Sequence, residues 1–358
     1  MRSSADHLDF DDLTDRDLRH WLRFQATDAS LASPYFSPAY YRAVNTVRPG
    51  IKVLRFSDNG RPVAYWPFRK GAFGTARPVA GPMDDLHGII ADPAAQIDLQ
   101  QPDVRRQVGG YAFSALPYQQ QRHGLTGQAG AGNQVMDLSA GTEAWHAARS
   151  LESSNFRRES RKCAKLLASP TTIVRHDVID MKSFERLIAL KKDAYQRSGH
   201  FDVFELDWPR DLLFALLKSE DEGARGVLST LSIEGAVAAM CFCMRSQSVL
   251  HYWFPAYEAT FAKQKPGLAL LFSLAQWAAE EGIRELHLGL GDNQYKRHMA
   301  SWMMPVRSGA LALSPAQQFA TEFTAWGHRV EGQNRFLNVP AKYARKYERM
   351  ALSGTWRA

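Results

Sequence analysis

The sequence predicts a mixed α/β (α+β) protein built from two similar halves, of which the second carries the chemistry. The first observation is a pair of hairpins on one plan. Strands at 51–56 and 63–68 flank Ser57-Asp-Asn-Gly60, and strands at 226–233 and 236–244 flank Glu234-Gly235. Each hairpin has an alternating strand, a turn ending in glycine, a Val-Ala step and an aromatic-bearing strand, which reads as an internal duplication. The second observation is the stretch immediately after the second hairpin. Residues 249–300 read as a strand, a basic glycine-containing turn, an apolar helix, a second strand and a polar turn into another helix. The third is length: 358 residues exceed what one compact core usually organises.

Composition places the chain among globular proteins, with 45% hydrophobic and 23% charged residues. The 44 Lys and Arg against 37 Asp and Glu leave a net charge of +7, which favours acidic partners without choosing among phosphates, nucleic acid and anionic membranes. Three cysteines, two of them (Cys241 and Cys243) on one face of a strand, imply neither a disulfide framework nor a zinc site. The N-terminus has no apolar run, and the longest apolar stretch, 267–279, is too short to span a bilayer. A cytoplasmic protein is expected.

Taken in order, 8–26 predicts a helix with Leu18, Trp21, Leu22 and Phe24 on its apolar side. The Tyr-rich 33–44 segment predicts a turn and a short helix whose aromatics pack in a core. After the first hairpin comes a Gly/Pro-rich region, a short helix at 101–110 and a strand at 111–116. The polar run 119–133 is a candidate boundary. A helix from Thr142 leads into 153–169, where Arg157, Arg161 and Lys165 share one face, either a solvated face or a clamp for an anion. A strand near 172–178 and two helices come next, one closed by Gly199 and one opened by Pro209.

In the site-bearing stretch, strict alternation puts His251, Trp253 and Pro255 on one strand face and Tyr252, Phe254, Ala256 and Glu258 on the other, with Pro255 forcing a splay or an edge. Next, Lys263, Gln264, Lys265, Pro266, Gly267, Leu268 and Ala269 form a turn into a helix. Unpaired helical N–H groups, the positive dipole end, two lysines and a glycine together suit a phosphate-like group. The turn lacks the Gly-x-Gly-x-x-Gly and Gly-Lys-Ser/Thr patterns of dinucleotide and nucleoside-triphosphate loops.

Gln264-Lys-Pro-Gly267-Leu-Ala269 resembles the Q/R-x-x-G-x-G/A turn of the GNAT acyltransferases, and 286–296, reading LHLGLGDNQYK, resembles a segment of the CelD/BcsL-type (BioF2-like) members linked to polysaccharide biosynthesis. Asn155-Phe-Arg-Arg is similar to the start of that domain, and Fem-type peptidyl transferases are more distant relatives. The resemblance implies two tandem GNAT-like domains: a degenerate one at 1–140, an acyltransferase at 141–315, and a basic helical extension at 316–358. It implies acyl-CoA as cosubstrate, held by 263–269, and a sugar or glycan acceptor. His287 departs from the pattern, standing where an acid is expected.

Acyl transfer from a thioester needs a deprotonated nucleophile, a polarised carbonyl and a protonated leaving thiolate. His251 and Glu258 are candidate bases, Asp292 a candidate carboxylate, Tyr295 a donor to the thiolate and Lys296 a contact for substrate anion. Each has a plainer alternative: a core histidine, a solvated acid, a helix cap, a packing tyrosine and a solvated lysine. Arg157, Arg161 and Trp253 are candidate acceptor contacts. His251, His287 and His298 lack metal-ligand spacing, so no metal is expected. The competing functions are a Fem-like transferase using aminoacyl-tRNA, although the chain lacks an RNA-binding signature, and a non-catalytic scaffold in a synthase complex. The basic 316–358 segment would give peripheral contact with the inner membrane if it lies on lipid.

Overall fold

The computed structural model describes residues 3–71, 75–199 and 201–312, so the expected extension at 316–358 falls outside the described residues. Two compact units emerge among the described residues: 3–31, 44–130 and 305–312 belong to the first, 32–43 and 131–304 to the second.

In the first unit β1 (Ser3–Asp9) lies antiparallel to β2 (Ile51–Asp58) over its whole length, from Ser3↔Asp58 to Asp9↔Lys52. The helix expected at 8–26 therefore begins later, as α1 (Asp15–Thr27). Residues up to Asp9 are claimed by the sheet, and Thr14 starts the helix with a capping box: its Oγ1 accepts from Asp17 N at 3.2 Å, and Asp17 Oδ2 accepts from Thr14 N at 3.1 Å. Trp21 of α1 stacks on Tyr65 of β3 (Arg61–Lys70), with ring centres 5.3 Å apart. In α2 (Pro38–Val47), whose residues up to 43 belong to the second unit, the Tyr-rich segment packs inward as expected, with Tyr40 and Tyr41 buried. Both hairpin turns place two residues at positive φ, Asn59 with Gly60 and Glu234 with Gly235. That matches the twist of the strands they join.

The sheet continues through β4 (Thr75–Arg77) and β6 (Gly110–Pro117). Between them lie β5 (Ile90–Ala91), paired to β3, and α3 (Pro102–Gln107). The next strand in space is β15 (Val306–Ala312), followed by β7 (Gln128–Ala129).

The second unit repeats this plan. Its sheet runs β9 (Thr172–Arg175), β10 (Arg225–Ile233), β11 (Ala236–Arg245), β12 (Val249–Tyr257), β13 (Glu285–Leu290), β8 (Asn133–Asp137), β14 (Trp302–Met304). In both sheets the fourth and fifth strands pair in parallel and the other main-path neighbours antiparallel. The duplication is thus visible strand by strand. It is also exchanged: β8 follows β7 in sequence but completes the second sheet, and β15 follows β14 but completes the first. Each unit is therefore discontinuous, and the 130/131 boundary falls within the polar run at 119–133.

Helices α4 (Thr142–Glu152), α5 (Ser154–Leu167) and α8 (Pro266–Glu280) cover one face of the second sheet, burying Trp145, Phe156, Leu270 and Leu274. Helices α6 (Met181–Ser198) and α7 (Pro209–Leu217) serve the strands elsewhere, with α6 closed by Gly199 at φ 67° and α7 opened by Pro209. The short α9 (Gln294–Met299) follows β13. No helix among the described residues is long and apolar enough to cross a membrane.

In this unit His176 bridges Ser229 Oγ, 2.9 Å from Nδ1, and Ser273 Oγ, 3.0 Å from Nε2, and stacks on Trp277. Burial pushes its pKa down to about 4. The folded state therefore binds fewer protons than the unfolded chain, whose histidines titrate near ~6.5. The stability this group contributes is complete above that value and is lost as pH falls toward about 4. Buried His87, lowered to about 3, acts with the same sign. The melting temperature should fall as the pH drops through this window, and His176→Gln should shallow the slope without abolishing it. Scanning calorimetry at a series of pH values reads both.

Candidate active site

The second sheet opens where β12 and β13 part. They pair only at Val249↔Glu285, Leu250↔Leu286 and His251↔His287. Two local irregularities drive them apart. Opposite Phe242 and Cys243, β12 carries an extra residue, Trp253, as a bulge. In β13 the pairing with β8 slips between His287 and Leu290, and Gly289 there takes φ 79°, which a side chain would resist.

The bulge corrects the expected alternation along β12. Trp253 and Phe254 turn the same way, their rings 5.1 Å apart, and Phe254 packs on Phe204. Tyr252 and Pro255 share the opposite side. Pro255, with no N–H to offer, lies beyond the last β12–β13 pair, as a proline in a sheet requires.

Beside the gap lies a cavity of about 410 Å³. Tyr252, Pro255, Ala256 and Tyr257 line it from β12; Leu268, Leu271 and Phe272 from α8; Asn155, Phe156 and Glu159 from α5; and Gln294, Tyr295, His298 and Met299 from α9. Ala262, Lys265, Pro266 and Gly267 line it from the turn into α8. Of the sequence candidates, Lys265, Pro266, Gly267, Leu268 and Tyr295 meet here.

Lys265 adopts the left-handed conformation at φ 54° and ψ 48°, rare for a residue with a side chain. No side chain caps α8, and its first residue, Pro266, has no N–H. The Leu268 and Ala269 N–H groups donate to Lys265 O at 3.1 and 3.2 Å. A Cβ on Gly267 would meet only Tyr257 Cδ1, at 3.8 Å. The protein itself thus leaves room there, and the start of the helix stays open. Ala269, on the inner side of α8, is buried in the core, while Lys263 and Gln264 are exposed and do not line the cavity.

The electrostatics differ from a bare basic turn. Lys265 Nζ lies 2.6 Å from Glu159 Oε2, and Glu159 is further flanked by Arg158 at 3.3 Å and Lys162 at 3.5 Å. Its carboxyl is held below the ordinary range chiefly by the Lys265 hydrogen bond. Tyr295 is pushed up to about 12 by burial, so its phenol stays protonated at neutral pH.

The other candidates lie elsewhere. His251 is fully buried against Tyr35 and Trp253, ring centres 5.1 and 6.1 Å away. Trp253 belongs to the same aromatic group. Asp292 is exposed and paired with Arg297 at 2.6 Å, and Asn293 rather than Asp292 is the N-cap of α9. Lys296 Nζ donates to Leu290 O at 2.6 Å. Glu258 pairs with Arg186. Arg157 and Arg161 are exposed on α5, and Arg157 donates to Ser150 O.

Sequence reasoning passed over Glu159, Asn155, Gln294 and, outside metal ligation, His298. Glu159 carried one signal: it is the lone acid of a basic helix and lies off its Arg157–Arg161–Lys165 face.

Two units on one α/β plan are thus joined in a single chain, a fold shared with a tandem GNAT protein. Residues 154–297 match the family model described as an acetyltransferase (GNAT) domain. No curated protein matches the sequence. Among solved structures, FemX aligns with a TM-score of 0.57 at 10% identity, over 89% of this chain and 98% of its own. A C-terminal domain from Agrobacterium fabrum assigned to a lysylphosphatidylglycerol synthetase aligns at 0.56 and 10%, over 96% and 99%. A tandem GNAT protein from the clavulanic acid biosynthesis pathway aligns at 0.52 and 12%, over 88% and 99%. At such identities the likeness is one of fold.

Because Lys265 is the largest influence on Glu159, Lys265→Met should raise the Glu159 pKa. Carboxyl-detected NMR titration checks this, and an unchanged value would leave Arg158 and Lys162 as the groups that hold it.

Proposed function

We propose that the second unit is an acyl-CoA-dependent acyltransferase that moves an acyl group directly from the thioester to an acceptor nitrogen or oxygen. The observation that carries this reading is the cavity beside the parting β12 and β13, with the uncapped start of α8 at its mouth. Positive helix ends favour pyrophosphate, and Gly267 leaves it room. The pantetheine arm then runs along the part of β12 that has lost its strand neighbour. As the acceptor bonds the acyl carbon, the C–S bond breaks with its electrons on sulfur; in this reading the Tyr295 phenol, which lines the cavity, protonates the sulfur, and the phenolate takes back the proton that the acceptor nitrogen or oxygen gives up. The acceptor proposed is a sugar or glycan precursor, on the resemblance of 286–296 to polysaccharide-linked members.

A second reading, aminoacyl transfer from tRNA, is favoured by one feature. Arg157, Arg161 and Lys165 are exposed on α5, whose inner side lines the cavity, so a polyanionic donor would meet charge at the site's edge.

Titration calorimetry of the full chain with acetyl-CoA and longer acyl-CoAs should give heat. Gly267→Glu, whose Cβ fits the protein, should weaken binding by about 100-fold or more, since losing a charge-assisted site and adding a like charge costs about 3 kcal/mol. Absence of heat for every acyl-CoA tested, or unimpaired binding by the variant, rejects the proposal. A salt-dependent tRNA gel shift in its place would select the second reading.

A further inference from the structure

We infer that His298 serves in this cavity as a neutral hydrogen-bond donor through Nε2–H, and that Asn155 and Arg158 hold it in that tautomer. The inference comes from three side chains read in order. Arg158 Nη2 lies 2.6 Å from Asn155 Oδ1. A guanidinium can only donate, so the Asn155 oxygen must face it, and the amide nitrogen must face the other way. That nitrogen, Nδ2, lies 3.0 Å from His298 Nδ1. An amide nitrogen also only donates, so Nδ1 accepts and the ring carries its proton on Nε2.

The arrangement is anchored on both sides. Asn155 and Arg158 are three residues apart on α5 and meet as neighbours on its surface. On α9, the His298 carbonyl accepts from Arg149 Nε at 3.3 Å, and the Met299 carbonyl from Trp145 Nε1 at 2.9 Å. Arg149 and Trp145 both belong to α4, so α4 holds the backbone of α9 while Asn155 of α5 meets the ring. Asn155 and His298 both line the cavity.

A ring in this state offers the cavity a donor in place of a lone pair. It is therefore not the general base. Its natural partner is a carbonyl oxygen, and this part of the inference rests on the acyl-CoA reading. As a nucleophile adds to the thioester carbon, the C=O π pair moves onto oxygen, where Nε2–H meets the growing charge. When the C–S bond breaks the carbonyl re-forms, and no proton has left the ring. His298 is then a catalytic residue, while Asn155 and Arg158 are positioning residues.

The tautomer is read without any ligand by two-bond ¹H–¹⁵N correlation spectra of the full chain labelled in histidine. Spectra are taken at pH ~8.5, well above the ordinary imidazole range. The resonance lost in His298→Gln should show Nε2 protonated and Nδ1 bare. Asn155→Asp keeps the side-chain shape but accepts where the amide donated, so it should move the proton to Nδ1. A wild-type ring protonated on Nδ1, or one whose tautomer ignores Asn155→Asp, overturns the lock.

The donor role is read by isotope-edited infrared spectroscopy of acetyl-CoA labelled at its thioester carbonyl. Binding should shift the carbonyl stretch to lower frequency. His298→Leu should abolish the shift, and His298→Gln, whose amide N–H replaces Nε2–H, should retain most of it. An equal shift in His298→Leu overturns the role. If calorimetry finds no acyl-CoA binding while the NMR tautomer is as stated, the acyltransferase reading fails and the thioester role falls with it. A failed lock with intact binding overturns the inference alone.

Discussion

The parting of β12 from β13 is the constraint on which the second unit depends. Two parallel strands that remained paired would bury their backbone groups against each other and leave no opening. Here the pairing ends after His251↔His287, because a bulge at Trp253 turns one strand and a left-handed Gly289 bends the other. The helix between them, α8, necessarily starts near the mouth of the gap, and its uncapped N-terminus faces that opening for topological reasons. The short α9 begins four residues after β13 ends, which brings Tyr295 and His298 to the same cavity.

The first unit shows what the same plan becomes without that construction. Its fourth and fifth strands, β4 and β6, also pair in parallel, at Thr75↔Gly110 and Ala76↔Tyr111. The connection between them holds β5 and the short α3 in place of a long helix, and the space about the sheet is filled by Trp66, Tyr111 and Phe113. There α3 also starts uncapped at a proline, Pro102, but Asp103 follows it and the helix runs for only six residues, while Gly81-Pro82 opens only a three-residue turn. The exchange of β8 and β15 makes each sheet depend on a strand remote in sequence from the others. Val135 and Met136 of β8 are fully buried in the second unit, so its core is incomplete without them.

The site is less positive and more divided than a run of lysines implies. Lys265 is matched by Glu159, and the exposed arginines of α5 lie on the outer face of the helix whose inner face lines the cavity. Apolar side chains (Phe156, Leu268, Leu271, Phe272 and Met299) form much of the wall. Such a wall excludes water and strengthens the few polar groups set into it. Tyr295 and His298, both on α9, set two different polar groups into that wall: a phenol kept protonated by burial and an imidazole whose Nδ1 faces the Asn155 amide.

The sequence by itself determined what short-range physics controls. Asn59-Gly60 and Glu234-Gly235 turns, the Gly199 cap, the Pro209 and Pro266 helix starts and the turn at 264–269 are all local backbone preferences, and each is where the residues place it. The duplication was legible too, because both copies keep the same hairpin chemistry. Only the tertiary structure decided which polar side chains meet. His251 and Asp292 satisfy any local rule for catalytic groups, yet one is enclosed by Tyr35 and Trp253 and the other pairs with Arg297 at the surface. The strand at Ser3–Asp9 was hidden because its partner, β2, begins only at Ile51, beyond the intervening α-helices α1 and α2. A single bulge at Trp253 reversed the faces read from strict alternation, and no pattern within one strand reports the register of its neighbour. Asn155 and His298 meet from α5 and α9 across 143 residues of chain, and Glu159 joins them in the same cavity, so their chemistry is a product of packing.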